Sequence, residues 1–446
     1  MLESTLETAG QSLLVGPTNS NLQSGSLYKA VHLPDNLDRA WKKVQENGLK
    51  SNSRTTKEET RQFSIHARKH LNCINKQLRL KRFRFGHARG VLGKKKSGKA
   101  ERPIVIAPIL SRIVQRAILD VIQSIPAIRQ TLTSGFNFGG VPGIDFGVPH
   151  AIAKAIQASK ESRYYIRTDI KSFFMAVPRQ RAVALITTRT DDNEFNLLLD
   201  AATTTELKDL ESFGDKAKLF PLWEDGVAQG SCLSPLLCNL LLSEFDEQMN
   251  QRGIVCIRYI DDFILFAPSR KSAFKAFDKC LLLLRELELS AYDPLSSEPE
   301  EQTKANHGPS DHEFTFLGCD IKQGRFRPTS TKRNDLMRKI HETFAECLES
   351  IAHPRDAIFS KTTYADAVMD ASNIIRGWGN TYSFCNDPRL ILNLDRDLQN
   401  MFSKFQSDFR QRIRNFKTLD RARSFGFYSL KDCKGMTEST GQKIQI

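Results

Sequence analysis

The sequence predicts an α+β protein, and three features of its patterning predict it. Helical and strongly basic segments occupy the chain up to about residue 130. From about 131 to 320, short apolar runs alternate with helical periods, the pattern of strands packed with helices. After Gly318 and a turn around Gly324 the pattern becomes largely helical to the end. A chain of 446 residues exceeds one small core, so two or three subdomains are expected.

Residues 1 to about 26 carry Ser, Thr, Asn and Gly without an apolar period, which predicts a loosely ordered lead-in. Next, Leu110, Ile113, Val114, Ala117, Ile118, Val121 and Ile122 mark one face of an amphipathic helix. Its start is set either by a Ser111 cap or by Pro108. Strand-like runs follow within Tyr164–Val177 and Ile254–Ala267. The segment Asp293–Glu313 is polar, acidic and interrupted by Pro, Gly and Ser, so a surface loop or insertion is expected there. A helix over Thr331–Ser350 opens the last region.

Charge narrows the function classes. Sixty-five Lys and Arg against 51 Asp and Glu leave +14. The excess is concentrated: Lys76–Arg102 holds eleven basic residues and one acid, and Lys404–Arg423 holds seven and two. Such runs suit a polyanion, because each neutralised phosphate releases condensed counterions. A solvated surface or a contact with an anionic membrane fits a single run equally well. No stretch reaches the roughly 18 apolar residues that cross a bilayer, so a soluble protein is expected. Nine cysteines without a CxxC pair argue against a zinc site or disulfide framework. No secretory signal is visible, which makes a reducing cytoplasm the expected location.

The chemistry lies in IVCIRYIDDFILFA (Ile254–Ala267), where Asp261 and Asp262 interrupt an apolar, strand-like run. Burying such charge costs several kcal/mol per ion unless a cation compensates, and magnesium is the hard cation that favours carboxylate oxygens. The flanking apolar runs fit a hairpin with the aspartates at its tip; an ordinary Asp-Asp turn has the same local pattern. In YYIRTDIKSFFMAV (Tyr164–Val177) a second strand runs into Asp169, a residue type that also caps helices. Two strand ends meeting at one pair of metal ions would suit nucleotidyl transfer.

Taken in order, these boxes resemble those of reverse transcriptases. YIDD (Tyr259–Asp262) is similar to their motif C and DIKSFF (Asp169–Phe174) to their motif A. Between them AQGSCLSP (Ala228–Pro235) resembles the QGxxxSP motif B of group II intron, retron and related bacterial enzymes. Ser234 and Pro235 then suit the cap and first turn of a helix carrying Leu236, Leu237, Leu240, Leu241 and Phe245. Upstream, Ser97–Ile118 is similar to the fingers motif of that group, with Ser111 where an Asp is usual. SGFNFGGVPG (Ser134–Gly143) resembles the stretch that precedes motif A, FTFLGCDI (Phe314–Ile321) the FLG hairpin of motif E, and RGWGNTYSF (Arg376–Phe384) a thumb element. Trp378 and Tyr382, four apart, also suit a helical core pair. The motif D lysine lacks its usual context, although Lys304 stands at roughly the right place.

The resemblance covers about residues 27 to 430 and implies a right-hand polymerase: fingers over 27–130, a palm with an antiparallel sheet over 131–320, and a helical thumb with a basic C-terminal region over 321–446. It implies Asp169, Asp261 and Asp262 as catalytic residues. Asp169, Ile170, Asp261 and Asp262 would hold two Mg2+ ions, for which Mn2+ would substitute. Lys99, Arg102, Phe174, Gln229, Gly230 and Tyr259 would bind nucleotide, with Phe174 as a steric gate that favours DNA over RNA synthesis. Phe316, Leu317 and Gly318 would grip the primer. The partners implied are an RNA template, a DNA primer or product and dNTPs, with the oligomeric state left open. The resemblance is nearest to stand-alone bacterial enzymes of the unknown-group class, which implies copying of a noncoding RNA in antiphage defence. A template-independent or protein-primed DNA polymerase and a maturase-like binder of structured RNA remain as alternatives.

Overall fold

The computed structural model describes residues 26–51, 53–94, 101–222, 226–322 and 324–432. Among these described residues ten strands are set among helices: β1 (Ala88–Lys94), β2 (Glu101–Ile106), β3 (Tyr164–Asp169), β4 (Leu207–Lys208), β5 (Val255–Tyr259), β6 (Asp262–Ala267), β7 (Asn306–Pro309), β8 (Phe314–Phe316), β9 (Cys319–Lys322) and β10 (Arg325–Pro328). The α+β class read from the sequence is the class observed. No described helix is long and apolar enough to cross a membrane.

The chain divides into two compact units, the first comprising Met1–Gly147, Thr168–Phe263 and Lys275–Ala305. Its centre is the helix Ile109–Ser124, whose Ile113, Val114, Ala117, Ile118, Val121 and Ile122 are buried as their spacing predicts. Leu110 departs from that face and is 40% exposed. Pro108 occupies the cap position; Ser111 does not cap, and its Oγ instead accepts a bond from the Gly86 N–H (3.1 Å). Helix Pro34–Leu49 lays Leu37, Ala40, Trp41 and Val44 into the same core, and Asn36 Nδ2 donates to the Ala117 carbonyl at 3.1 Å. Beside it lies a sheet of order β2-β1-β4. There β1 and β2 pair antiparallel from Arg89↔Ile106 to Lys94↔Glu101, over a core of Ala88, Val105, Leu207, Phe220 and Ala228.

At the Asp262 end of β6, also within this unit, β5 and β6 form a hairpin. Ser234 is the first residue of helix Ser234–Leu241 rather than its cap, and its Oγ donates to the Ala228 carbonyl at 2.7 Å. That bond ties the loop before the helix to the helix itself. Pro235 does stand in the first turn, where its missing N–H costs nothing.

The second unit comprises Val148–Arg167, Ile264–Phe274 and Asn306–Ile446. Here β6, β3 and β7 run side by side, with β3 and β7 antiparallel from Tyr164↔Pro309 to Arg167↔Asn306. Ile264, Leu265, Phe266 and Ala267 of β6 are buried throughout, as a continuous apolar run in a central strand should be. The polar segment 293–313 is therefore more than a surface loop: it contains the helix Pro299–Lys304 and the edge strand β7. Pro299 fits a first helical turn, and an edge strand tolerates Gly308 and Pro309 where a central one would not.

A second antiparallel sheet of order β10-β9-β8 follows, and then the helices Ser330–Ser350, Tyr364–Tyr382 and Pro388–Ile413. The first of these lies within one residue of its sequence-derived bounds and is capped by Thr329, whose side chain accepts from the Lys332 N–H. Leu336, Ile340, Phe344, Ala367, Phe405 and Phe409 close the helical core, with the Phe344 and Phe405 rings stacked 4.2 Å apart. Along Lys404–Arg423, Phe405, Phe409 and Ile413 point inward while Lys404, Arg410, Arg412, Arg414, Lys417 and Arg421 are exposed.

Candidate active site

Asp169 is the last residue of β3, Asp261 lies in the turn between β5 and β6, and Asp262 is the first residue of β6. The Ile170 N–H donates to the Asp261 carbonyl at 3.0 Å, so the two boxes, about 90 residues apart in sequence, are joined main chain to main chain. Burial first, and then the charge of Asp169, push the Asp261 carboxyl up to about 6; Lys304 and Arg102 pull against that rise. The turn is strained, since Ile260 adopts φ +63, a left-handed conformation that β-branched residues avoid. Gly139 makes room for it: a Cβ there would lie 2.7 Å from Ile260 Cγ1 and 2.8 Å from its N.

Lys304, at the end of helix Pro299–Lys304, reaches the Asp169 carboxylate, with Nζ to Oδ2 at 2.5 Å. Burial pulls its ammonium down, but the bond to Asp169 and the charges around it outweigh that and raise it. Its helix is tied to motif A by Lys171 Nζ to Glu301 Oε1 at 2.6 Å, and the chain leading towards the helix is tied to the end of β3 by Tyr292 N–H to the Asp169 carbonyl at 3.1 Å and Thr168 Oγ1 to the Tyr292 carbonyl at 2.8 Å. Among the described residues no group of three or more His, Cys, Asp or Glu side chains is gathered closely enough to hold a metal ion. The Asp169 carboxylate faces an ammonium instead. Its other oxygen, Oδ1, is buried without a hydrogen-bond partner. Hard carboxylate oxygens, one of them unsatisfied and one protonated more readily than usual, form a donor set that fits a divalent cation.

The nucleotide-facing residues of the sequence reading divide by location. Arg102 sits exposed on β2, within electrostatic reach of Asp261. Lys99 lies outside the described residues. Gln229 and Gly230 are pinned to β2, as the Val105 N–H donates to the Gln229 carbonyl at 2.8 Å. At Gly230, φ is +121 and a Cβ would meet the Val105 carbonyl at 2.5 Å, so only glycine allows that approach. Phe174 is half-buried beside Phe173, ring centroids 5.9 Å apart, and its carbonyl accepts from the Val227 N–H at 2.7 Å. Tyr259 ends β5 half-buried, and burial pushes its hydroxyl up. Ile170 is buried and meets Asp261 through its main chain.

In the second unit Phe316 is wholly buried, while Leu317 (φ +48) and Gly318 (φ +79) form the tight turn between β8 and β9. Trp378 and Tyr382 do pair on one helix at 4.8 Å, and Trp378 Nε1 donates to the Lys332 carbonyl at 3.3 Å. Sequence reasoning overlooked the surroundings of the hairpin: Asn239, Asp246 and Arg258 carry no motif signal of their own, and Gly139 was only one glycine of a glycine-rich box.

A family model described as Reverse transcriptase (RNA-dependent DNA polymerase) matches residues 94–321. Among curated proteins, the chain is 32% identical over 280 residues to protein YkfC of Escherichia coli K12, covering 54% of this chain and 68% of that protein. It is 28% identical over 182 residues to an uncharacterized 91 kDa protein in the cob intron of Schizosaccharomyces pombe, covering 40% of this chain but only 20% of that protein. Among solved structures, telomerase from Candida albicans aligns with a TM-score of 0.37 at 10% identity, over 78% of this chain and 65% of that one.

Proposed function

Because the chain belongs to the reverse transcriptase (RNA-dependent DNA polymerase) family, we propose that it copies RNA into DNA at the site formed by Asp169, Asp261 and Asp262, using two magnesium ions for which manganese can substitute. Membership of that family makes it an RNA-directed DNA polymerase acting on an RNA template and DNA strands, with the right-hand polymerase fold. The observation that carries the site assignment is the main-chain bond from Ile170 to Asp261, which brings the ends of motifs A and C together. Divalent ions held there would supply Lewis acidity at the primer 3′-hydroxyl and neutralise the triphosphate.

The protein's own groups do the rest. Arg102, with Lys99, binds the triphosphate, and a guanidinium suits its paired oxygens. Gln229, Gly230 and Tyr259 face the incoming nucleotide, and the Phe174 ring crowds a ribose 2′-hydroxyl. Lys304 neutralises Asp169 in the metal-free protein, and its ammonium would have to withdraw for a divalent ion to be held there. Phe316, Leu317 and Gly318 shape the hairpin that holds the primer, through the turn backbone rather than the buried Phe316 ring. We assign fingers to 27–130, palm to 131–320 and thumb to 321–446. The defence role and the noncoding RNA template rest on the sequence resemblance to stand-alone bacterial enzymes. Sequencing nucleic acid that co-purifies with the protein, before and after RNase and DNase, tests that part.

Primer extension on an RNA template tests the polymerase site. The wild type should extend with dNTPs, and Asp169→Asn or Asp261→Asn should lower the rate by on the order of a thousandfold, several kcal/mol of lost charge stabilisation. Undiminished extension by either variant would refute the assignment.

A further inference from the structure

Behind the hairpin lies a charged side chain that none of the motifs assigns. Arg258, on β5 one residue before YIDD, is wholly buried. Its Nε and Nη2 clamp both carboxylate oxygens of Asp246 (2.8 and 2.5 Å), on helix Ser243–Met249. Its Nη1 is shared between Asn239 Oδ1 (3.1 Å) and the carbonyl of Ile260 (2.9 Å), the strained residue of the turn. Asn239 in turn donates from Nδ2 to the Gly139 carbonyl at 2.8 Å, and Gly139 is the glycine against which Ile260 packs. The main chain of Arg258 is fixed as well: its N–H donates to the Phe136 carbonyl and its carbonyl accepts from the Phe138 N–H, both at 2.9 Å.

A buried charge pair is a poor device for stability, because desolvation consumes most of its attraction. Its geometry here serves another end. The planar fork of an arginine spends two nitrogens on its counterion and points the third at one backbone carbonyl, which is the carbonyl of the residue preceding Asp261. We propose that Arg258 is a positioning residue: held by Asp246 and steered by Asn239, its guanidinium fixes the left-handed turn at Ile260 and so sets the aim of Asp261 and Asp262. Through Asn239 the same network couples motif B to motif C, so that the helix following the nucleotide-facing loop and the carboxylate turn move as one piece. The inference rests on the metal-site reading of Asp261 and Asp262, since outer groups that orient ligands govern metal affinity.

Three variants test it in the full-length chain: Arg258→Lys, Asn239→Ala, and the double replacement Asp246→Leu with Arg258→Met, which removes both charges without stranding either. Each is followed by thermal unfolding, by hydrogen exchange of the peptide spanning residues 259–262 in metal-free protein, by Mn2+ binding read from the electron paramagnetic resonance of the free ion, and by kcat and KM for dNTP. Arg258→Lys keeps the charge opposite Asp246 but cannot span the four acceptor oxygens of Asp246, Asn239 and Ile260. It should unfold near the wild-type temperature, yet exchange the turn amides faster and bind Mn2+ about ten- to a hundredfold more weakly. Its kcat should fall while KM for dNTP holds. Asn239→Ala leaves no charge stranded and should move the turn exchange and Mn2+ affinity the same way, deciding the matter alone if the other variants do not fold. Wild-type turn exchange and Mn2+ affinity in the variants that fold would overturn the proposal. Mn2+ binding that Asp261→Asn leaves untouched would sink the metal-site reading instead, while turn exchange would still decide the role of Arg258.

Discussion

Asp261 is penalised in the metal-free protein, and the sign of that penalty is testable. Its carboxyl is pushed up to about 6 by burial and by Asp169, whereas an aspartate in an unfolded chain titrates near about 3.9. The fold therefore holds the proton more tightly than the unfolded chain, and loses stability as pH rises from about 4 to 6, with no further loss above. Asp261→Asn should stabilise metal-free protein above pH 6 by about 2–3 kcal/mol and leave it unchanged near pH 4. A gain that is equal at both pH values contradicts the account. Lys304→Gln takes away the cation that faces Asp169. Its metal-free melting temperature should drop by a few degrees, about what 1 kcal/mol is worth, and Mn2+ should restore more than it adds to the wild type; an unchanged metal-free temperature would show that the pair carries no weight. At Phe174, replacement by Ala should admit ribonucleotides in primer extension, and an unaltered preference for dNTPs would remove its role as gate.

Among the elements, the contact between β2 and the motif B loop offers the sharpest test. Gly230 stands at φ +121, and a Cβ would press on the Val105 carbonyl at 2.5 Å. Gly230→Ala should therefore shift β2, costing about 1–3 kcal/mol of stability and raising KM for dNTP, because Arg102 rides on the same strand. A wild-type melting temperature and KM would show that the approach is not needed. Elements whose signals are local were legible in the sequence. The Ile113–Ile122 face, the YIDD hairpin and the 330–350 helix follow from apolar period and strand length alone. Misread features are those where a partner outside the helix claimed a side chain: Ser111 serves Gly86 and Ser234 serves Ala228 instead of capping helices. The 293–313 segment looked like a loop because its order comes from pairing with β3 and from ion pairs to Lys171 and Asp169, none of which its own composition announces.

Across the chain, the +14 charge and its two basic runs suit a polyanion, and Lys404, Arg410, Arg412, Arg414, Lys417 and Arg421 stand on the solvent-exposed face of the helices Pro388–Ile413 and Thr418–Phe425 and the turn between them. Replacing Arg410, Arg412 and Arg414 with Gln should weaken primer–template binding similarly for every sequence, and flatten its dependence on log salt by about two to three units of slope. An unchanged slope would leave that face without a phosphate contact. Beyond reach of the sequence was the network that supports the catalytic turn, since Asn239, Asp246 and Arg258 come from two helices and a strand whose adjacency only the fold creates. Anomalous diffraction from crystals of the protein with primer–template, dNTP and Mn2+ decides whether Asp169 and the 261/262 turn hold divalent metal at one place. Manganese should be bound by the carboxylates of Asp169 and Asp261, with the Lys304 ammonium withdrawn from Asp169. Manganese bound elsewhere, with the Lys304–Asp169 pair intact, would contradict it.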